Sequence, residues 1–259
     1  MKRLIAILCS LALISFSVPV FAQPLTIYSE EWAPISFTSD HQPTGLAVEI
    51  VQEIQKRINT QEPIQIVPWA RGWTIMTKQP NTVLFAMTKT VDREKLFTLV
   101  GPIAAGTVNF YTLQNSQITI SSLEDAKHAK AIGVYRESVE EQTLKEHGFE
   151  NIATTSTPLF SAKQLLKQRI DIWCNTNLTT TSILREAGAP PDAVKSIFTL
   201  SDNLLYIAFS KGTSEEVIEQ WQTTLDAMKQ DGTFASIYQK WLPNENPPMW
   251  TERLGGNFQ

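Results

Sequence analysis

The sequence has little of the chemistry on which most enzymes and metal sites depend. Its 259 residues include two cysteines and three histidines. It contains no P-loop, G-x-G-x-x-G, H-E-x-x-H or C-x-x-C motif. The shortage of His and Cys argues against a transition-metal site, and we expect no cofactor. The composition therefore favours binding over turnover.

A secretory signal peptide is predicted for residues 1–22. Lys2 and Arg3 precede a mostly apolar run that ends at the small residue Ala22, a plausible cleavage site. A membrane anchor is the alternative, but the run is short for the ~20 residues that a spanning helix needs. No later segment is apolar for long enough to span a bilayer. We therefore expect export to the periplasm without membrane insertion.

Charge and the remaining cysteine narrow the choice of partners. Removal of Lys2 and Arg3 takes the formal net charge from −4 to about −6, which disfavours nucleic acid and anionic membranes as partners. Only Cys174 then remains, so no internal disulfide can form. A nucleophilic pair of Cys174 with a histidine is the catalytic alternative, but a single thiol at the end of an apolar strand is typically a small buried residue.

The first part of the chain predicts a strand, a helix and a second strand. Residues 25–32 start as a short strand, and residues 45–58 form the helix. The segment 64–69 is rich in β-forming residues, and its strand stops at Pro68. The helix carries apolar residues at four-residue spacing: Leu46, Ile50, Ile54 and Ile58. A βαβ order of this kind predicts a parallel sheet.

The α/β pattern begins again near residue 118. Residues 131–135 predict a strand, and residues 161–175 predict a helix that leads into a strand. Two pairs have the spacing of a capping box at a helix start: Ser121 with Glu124, and Ser138 with Glu141. The middle of the chain is therefore predicted to form a second α/β unit.

The last part of the chain predicts a strand and two helices. Residues 203–212 form the strand, 213–232 a long helix and 233–243 a short one. Thr213 and Glu216 have capping-box spacing at the start of the long helix. The inward faces are predicted to carry Val217, Trp221, Leu225, Met228, Phe234, Ile237, Tyr238 and Trp241.

Five phrases along the chain share the spacing of one known family. They are "YSEEWAPISF", "TGLAVEIVQEI", "VPWARGW", "TKTVDREKLFTLVGPI" and "YIAFSKGTSEEVIEQWQTTLDAMKQDGTFASIYQKWLP". Over residues 24–243, the sequence resembles the periplasmic solute-binding proteins of family 3, which supply amino acids and similar small polar solutes to ABC importers. The closing phrase is the most specific, because its spacing of apolar, Gly and Trp positions is unbroken.

The resemblance implies the type II periplasmic binding protein fold, an α/β fold with two lobes joined by two hinge strands. Lobe 1 would contain residues 24–110 and 203–243, lobe 2 would contain residues 111–202, and residues 244–259 would form a C-terminal extension. The hinge strands would lie at "GTVNFYTL" and "NLLYIAFS". A ligand would bind in the cleft between the lobes, which closes around it.

The resemblance also implies a carboxylate-binding pair in lobe 1. Arg93 matches the arginine that grips the ligand carboxylate in this family, and Thr88 matches the hydroxyl that binds the same group. A guanidinium offers a planar fork that suits a carboxylate. The alternative is a surface ion pair of Arg93 with Asp92 or Glu94, which is worth little.

Two aromatic walls and a second anion contact are implied beside this pair. Trp32 falls where the family places an aromatic ring on the ligand, and Trp69 falls near a second wall. Packing in the core is the alternative for both. Arg71, two residues past Trp69, is equally well explained as an anion contact or as a structural arginine.

In lobe 2, the resemblance points to Arg136, Ser138 and Thr176. Ser138 begins a helix where the family closes backbone N–H groups over the carboxylate. The small glycine of the family is missing before Ser138, and Arg136 would either supply positive charge there or point into solvent. Thr176 occupies the position at which amino-acid binders carry an aspartate for the α-ammonium group. An unpaired buried charge is costly, so a carboxylate without a free ammonium is as compatible with Thr176 as an amino acid.

The resemblance implies a monomeric receptor that binds a small-molecule solute, docks on the membrane permease of an ABC importer and has no catalytic activity. One alternative is an enzyme on the same fold, similar to the periplasmic dehydratases of cyclohexadienyl acids, with Glu30, Glu31 and Glu137 as candidate acids. Another is a ligand-sensing partner of a membrane receptor.

Overall fold

A computed structural model of the protein describes residues 24–243 and 245–256. Within these residues the chain forms eleven strands and eight α-helices. The predicted signal peptide lies outside the described residues. None of the helices in the described part of the chain is long and apolar enough to cross a membrane.

Nine strands form one mixed sheet, and the other two form a hairpin. In chain order the strands are β1 (Thr26–Ser29), β2 (Phe37–Ser39), β3 (Gln42–Thr44), β4 (Ile64–Ile66), β5 (Thr82–Thr88), β6 (Thr98–Leu113), β7 (Ile132–Tyr135), β8 (Ile152–Thr155), β9 (Ile172–Thr176), β10 (Val194–Phe209) and β11 (Glu252–Gly255). Across the sheet the order is β4-β1-β5-β10-β6-β9-β7-β8, with β11 also paired to β6, and β2 pairs with β3.

Each end of the sheet is built from parallel strands. At one end β1 pairs in parallel with β4 and β5, and at the other β7 pairs in parallel with β8 and β9. Parallel neighbours need a crossover connection, which the helices between these strands supply. The predicted parallel sheet is confirmed. Below, lobe 1 is the half that contains β1, β4 and β5, and lobe 2 is the half that contains β7, β8 and β9.

The observed helices match the predicted ones where the spacing of apolar residues is regular. They are α1 (Leu46–Arg57), α2 (Trp69–Lys78), α3 (Val91–Leu96), α4 (Val139–Glu146), α5 (Pro158–Leu166), α6 (Asn177–Glu186), α7 (Glu215–Gln230) and α8 (Thr233–Trp241). The predicted helices at α1, α7 and α8 are confirmed. The segment at α2 was predicted as a strand end and is a helix, since Pro68 precedes the first helical residue and starts the helix.

The three predicted capping boxes have different outcomes. The Ser138 hydroxyl accepts a hydrogen bond from the Glu141 amide at 3.1 Å and caps α4 as predicted. The Thr213 prediction is wrong, because Ser214 precedes α7 and no side chain caps that helix. The Ser121 prediction is also wrong. There the amide of Ser121 donates to the Asp125 carboxylate, ahead of a short 3-10 helix.

The helices bury their apolar faces against the sheet. In lobe 1, Trp221 of α7 is fully buried and meets Phe209 of β10 edge-to-face at 5.4 Å between ring centroids. In lobe 2, Trp173 and Cys174 of β9 are buried. Burial raises the pKa of the Cys174 thiol well above its ordinary value, which favours the buried-residue interpretation of this cysteine over a nucleophile.

Two long strands connect the lobes. Strands β6 and β10 have 16 residues each and pair antiparallel along their length, with three interruptions of register. Strand β6 includes the first phrase predicted as a hinge strand, and β10 includes the second phrase up to Phe209. The exact lobe boundaries stay predictions, because one continuous sheet runs through both halves.

The C-terminal extension is held against lobe 1. Its strand β11 pairs antiparallel with the first residues of β6. Two side-chain contacts fasten it: Tyr206 with Glu252, and Arg253 with Glu215. Lys229 of α7 also donates to the Pro102 carbonyl at 2.8 Å and to the Trp250 carbonyl.

Candidate ligand-binding site

Arg93 lies in the interior of the protein. It sits on α3, directly after β5, and its side chain is 2% exposed. The alternative of a surface ion pair is wrong, because Asp92 pairs with Lys95 at 2.7 Å and Glu94 pairs with Lys89 at 3.5 Å. The short helix is capped by the Thr90 hydroxyl, which accepts from the Arg93 amide at 3.2 Å and so fixes where the side chain departs.

The guanidinium of Arg93 is only partly satisfied. Its Nη1 donates to the Thr88 carbonyl oxygen at 2.8 Å, while Nε and Nη2 are buried without a hydrogen-bond partner. Its carbon Cζ lies 5.3 Å from the ring centroids of both Trp69 and Trp73, within the range of cation–π attraction. Burial lowers the pKa of Arg93 from its ordinary value. Two donor nitrogens without partners in the interior are suited to an anionic group.

Trp69 joins the two lobes. It opens α2 in lobe 1, and its indole Nε1 donates to the carbonyl oxygen of Glu137 in lobe 2 at 2.8 Å. The Glu137 residue has a φ of 60°, and its amide donates to the Glu141 carboxylate. Because the two hydrogen-bonding groups belong to different lobes, this contact requires the lobes to be close together.

Two buried carboxyl groups lie near Arg93. Glu30 follows β1, and Glu140 lies in the first turn of α4. The Tyr135 hydroxyl donates to Glu30 Oε1 at 3.3 Å, which is a second contact between the lobes. Burial, with a further contribution from Glu140, raises the pKa of Glu30 to about 8. Burial also raises the pKa of Glu140, whose Oε2 has no hydrogen-bond partner.

Asn203 links the predicted threonines of the two lobes. The Thr88 hydroxyl donates to Asn203 Oδ1 at 2.8 Å, and Asn203 Nδ2 donates to the Thr176 hydroxyl at 2.8 Å. Thr176 also caps α6 through its hydroxyl. All three residues are buried. The bridge places Thr88 and Thr176 on either side of one hinge-strand residue.

The remaining predicted residues are spread around this centre. Ser138 is buried and occupied as the cap of α4, whereas the side chains of Arg71 and Arg136 are exposed. Their roles in binding stay predictions. Of the candidate acids, Glu31 is exposed and its carboxylate accepts hydrogen bonds from the amide and hydroxyl of Thr38.

Trp32 lines a crevice between the lobes. Its side chain is buried, and its Nε1 has no hydrogen-bond partner. A crevice of about 110 Å³ separates Trp32 and its neighbours from Thr157, Pro158, Leu159 and Ile183 of lobe 2. A second space of about 250 Å³ is bounded by Glu30 and Trp69 on one side and by Ser156, Thr157 and Pro158 on the other. Both spaces open between the lobes.

Four residues of the site were not predicted from the sequence: Trp73, Tyr135, Glu140 and Asn203. The sequence analysis predicted a strand end at α2. A helix prediction there would have placed Trp73 one turn after Trp69, on the same face. Glu140 follows the Ser138 cap by two residues, so the confirmed capping box placed it in a first turn without indicating that it is buried. No local signal in the sequence indicated Tyr135 or Asn203.

Comparisons with known proteins agree on one family and one fold. The family described as "Bacterial extracellular solute-binding proteins, family 3" matches residues 25–244. The L-cystine-binding protein TcyA of Bacillus subtilis (strain 168) is 26% identical over 205 residues, which are 77% of this chain and 72% of TcyA.

Solved structures match over most of the chain. A histidine kinase sensor domain with similarity to periplasmic binding proteins has a TM-score of 0.78 at 17% identity, over 87% of this chain and 99% of the domain. An ancestral arginine-binding protein bound to arginine has a TM-score of 0.74 at 21% identity, over 86% of this chain and 100% of that one. These similarities show the type II periplasmic binding protein fold.

Proposed function

Because the chain belongs to the bacterial extracellular solute-binding proteins of family 3, we propose that it captures an amino acid or a related carboxylate in the cleft between its lobes and delivers it to the permease of an ABC importer. The relatives named for binding L-cystine and arginine support this class of ligand. The chain acts in this role as an exported monomer.

One observation carries the proposal: Arg93 is buried with Nε and Nη2 unpaired. An unsatisfied buried donor costs about 1–3 kcal/mol, and more when it is charged. A ligand carboxylate that accepts one hydrogen bond from Nε and one from Nη2 reduces that cost and gains two charge-assisted hydrogen bonds. The indole rings of Trp69 and Trp73 hold the guanidinium in place for this contact.

Binding is coupled to closure through contacts made across the cleft. The bond from Trp69 to the Glu137 carbonyl and the bond from Tyr135 to Glu30 both join lobe 1 to lobe 2. A ligand that binds better to the closed form shifts the population towards it. The permease then recognises the closed, ligand-bound receptor by its shape.

A thermal unfolding series tests the proposal. The protein, purified after export, is heated with L-cystine, L-arginine, L-glutamine or L-glutamate. A ligand at a hundred times its Kd adds about 2.7 kcal/mol to stability. The response is expected in the wild type, lost in Arg93→Ala and reduced in Arg93→Lys, which keeps the charge but not the planar fork. Arg169→Ala, at an exposed arginine in lobe 2, is the control.

Two results would contradict this role for Arg93. One is a wild type that none of these solutes stabilises. The other is an Arg93→Ala variant that is stabilised as strongly as the Arg169→Ala control.

Delivery to an importer needs a separate measurement. Cells that carry the gene and its permease should take up the radiolabelled solute, and cells with Arg93→Ala should not. Uptake that is independent of the receptor, together with intact binding, would favour the alternative of a ligand-sensing partner for a membrane receptor.

Glu30 supports a second candidate function, an enzyme on the same fold. With a pKa of about 8 its carboxyl group is protonated at neutral pH and is able to donate a proton. Incubation with cyclohexadienyl acids separates the two functions. A dehydratase would form an aromatic product, detected by its ultraviolet absorbance, and would lose this activity in Glu30→Gln. A receptor would leave the acids unchanged.

A further inference from the structure

We propose that the C-terminal strand β11 positions Arg93, and so sets the affinity of the site for the anionic group of its ligand. Strand β11 lies beyond residues 25–244, which are the residues that match the family. The inference rests on the proposed function, in which Arg93 is the carboxylate anchor. It adds the C-terminal extension as a positioning element, with Leu254 and Gly255 as the residues that act on α3 and its surroundings.

Helix α3, which carries Arg93, is too short to be stable by itself. It has six residues, and isolated helices shorter than about 12–15 residues are marginal in water. The Thr90 hydroxyl caps its start, and at its end the Phe97 amide donates to the Arg93 carbonyl oxygen at 2.9 Å. Of the three guanidinium nitrogens, Nη1 alone has a hydrogen-bond partner, the Thr88 carbonyl oxygen. Neighbouring elements must therefore hold the helix and its arginine in place.

The backbone of Gly255 lies against the end of α3. A Cβ atom added at this glycine would overlap the carbonyl oxygens of Phe97 and Glu94. The φ of Gly255 is 71°, which also favours glycine. Because Glu94 directly follows Arg93, a displacement of this contact moves the turn from which the guanidinium departs.

Leu254 supports the rings that cover the guanidinium. Its partly buried side chain packs against an apolar cluster that includes Trp69 and Phe97. The Phe97 ring meets Trp73 edge-to-face at 5.4 Å between ring centroids. The rings of Trp69 and Trp73 each lie 5.3 Å from Arg93 Cζ. Truncation of Leu254 removes packing atoms from this cluster, and the structure around such a gap relaxes.

Protection of a sheet edge is the alternative role for β11. The first residues of β6 pair with β10 on one side and with β11 on the other, so β11 covers an edge that would otherwise be open. Backbone pairing is enough for that role. It does not account for the approach of Gly255 to α3 or for the packing of Leu254 against the cluster. Contacts of Glu252 with Tyr206 and of Arg253 with Glu215 hold the strand in this register.

The Nε–H resonance of Arg93 reports the position of the guanidinium without any ligand. In the ¹⁵N-labelled, exported protein this resonance is assigned by its absence from Arg93→Lys. Leu254→Ala and Gly255→Ala should shift it and speed its exchange with solvent. Leu166→Ala, at a partly buried leucine in lobe 2, is the control for Leu254→Ala. Gly148→Ala is the control for Gly255→Ala, because Gly148 has the same φ of 71° and an added Cβ there meets nothing within 4 Å.

The affinity of the site is measured in a second arm. L-cystine, L-arginine, L-glutamine and L-glutamate are titrated calorimetrically, and the solute that binds the wild type is then titrated into each variant. Leu254→Ala and Gly255→Ala should raise its Kd about tenfold, as expected for the loss of one hydrogen bond to a charged group. Leu254→Met keeps an apolar side chain of similar volume and should retain the wild-type Kd. The two control variants should bind as the wild type does.

Three results would overturn the inference. The first is an Arg93 resonance that neither β11 variant changes. The second is a resonance that the two control variants change as much as the β11 variants do, which would attribute the effect to general destabilisation. The third is a Kd that stays at the wild-type value in both β11 variants although the resonance has moved. If none of the four solutes binds the wild type, the proposed function fails, and the resonance still decides whether β11 positions Arg93.

Discussion

The indole Nε1 of Trp69 donates a hydrogen bond to the carbonyl oxygen of Glu137 at 2.8 Å, and so ties lobe 1 to lobe 2 beside Arg93. The ring of Trp69 therefore has two roles. Its face covers the guanidinium that we propose as the carboxylate anchor, and its edge closes the cleft. A substitution that removes the hydrogen bond and keeps an aromatic ring distinguishes the two roles.

Trp69→Phe removes the hydrogen bond and retains an aromatic face. The loss of one such bond is worth about 0.5–1.5 kcal/mol, so the Kd of the bound solute should rise by up to about tenfold. Titration calorimetry measures this change. Trp250→Phe, at a tryptophan that is 51% exposed, should bind as the wild type does. An unchanged Kd in Trp69→Phe would mean that this contact does not help to hold the cleft closed.

Stability should depend on pH through Glu30. Its pKa is raised from 4.5 to about 8, with Glu140, Tyr135 and Arg93 as its charged or titratable neighbours. Between these two values the folded protein holds a proton that the unfolded chain has released. The contribution of this group to the free energy of unfolding therefore falls as pH rises, by up to about 1.4 kcal/mol per pH unit.

Urea unfolding of the wild type and Glu30→Gln from pH 5 to pH 8 measures that contribution as a difference. The advantage of the variant should grow with pH, because glutamine does not ionise. Glu150→Gln, at an exposed acid, is the control. Parallel profiles for the wild type and Glu30→Gln would show that Glu30 titrates normally.

The sequence predicted the elements better than it predicted the site. Regular apolar spacing identifies α1, α7 and α8, because each buries one face against the sheet. It fails at α2, where Pro68 and Gly72 interrupt the pattern. In the site, Arg93 and Thr88 are five residues apart in the sequence and were named together from the family resemblance, and their role in binding stays a prediction. Glu140 and Asn203 come from distant elements that only the closed fold brings together, so no local pattern could indicate them.

Asn203 should matter for both stability and binding. Asn203→Ala removes the side chain that joins the hydroxyls of Thr88 and Thr176. The Thr176 hydroxyl still accepts from the Leu178 amide, so the buried Thr88 hydroxyl is the group left unpaired, at a cost of about 1–3 kcal/mol. Chemical denaturation should show the loss, and the Kd of the solute should rise because Thr88 is no longer held. Asn115→Ala, at an exposed asparagine in the loop after β6, is the control. If stability falls and the Kd does not change, the bridge is structural and Thr88 needs no support.

Stability should also depend on pH through Lys229, which holds the C-terminal extension and should be uncharged in the folded protein at alkaline pH. Lys229 donates to the Pro102 and Trp250 carbonyls, and burial lowers its pKa from 10.5 to about 7. Between these values the unfolded chain holds a proton that the folded protein has released, so stability rises with pH in this window. Lys229→Met removes both hydrogen bonds and should cost about 1–3 kcal/mol.

Urea unfolding from pH 6.5 to pH 9 checks the sign of this effect. The wild type should become more stable relative to Lys229→Met as pH rises, because the variant has no titrating group at this position. Lys78→Met, at an exposed lysine in the last turn of α2, should follow the wild type. If the difference between the wild type and Lys229→Met stays constant with pH, the ammonium group is charged in the folded protein. The two carbonyl oxygens would then hold it as a cation.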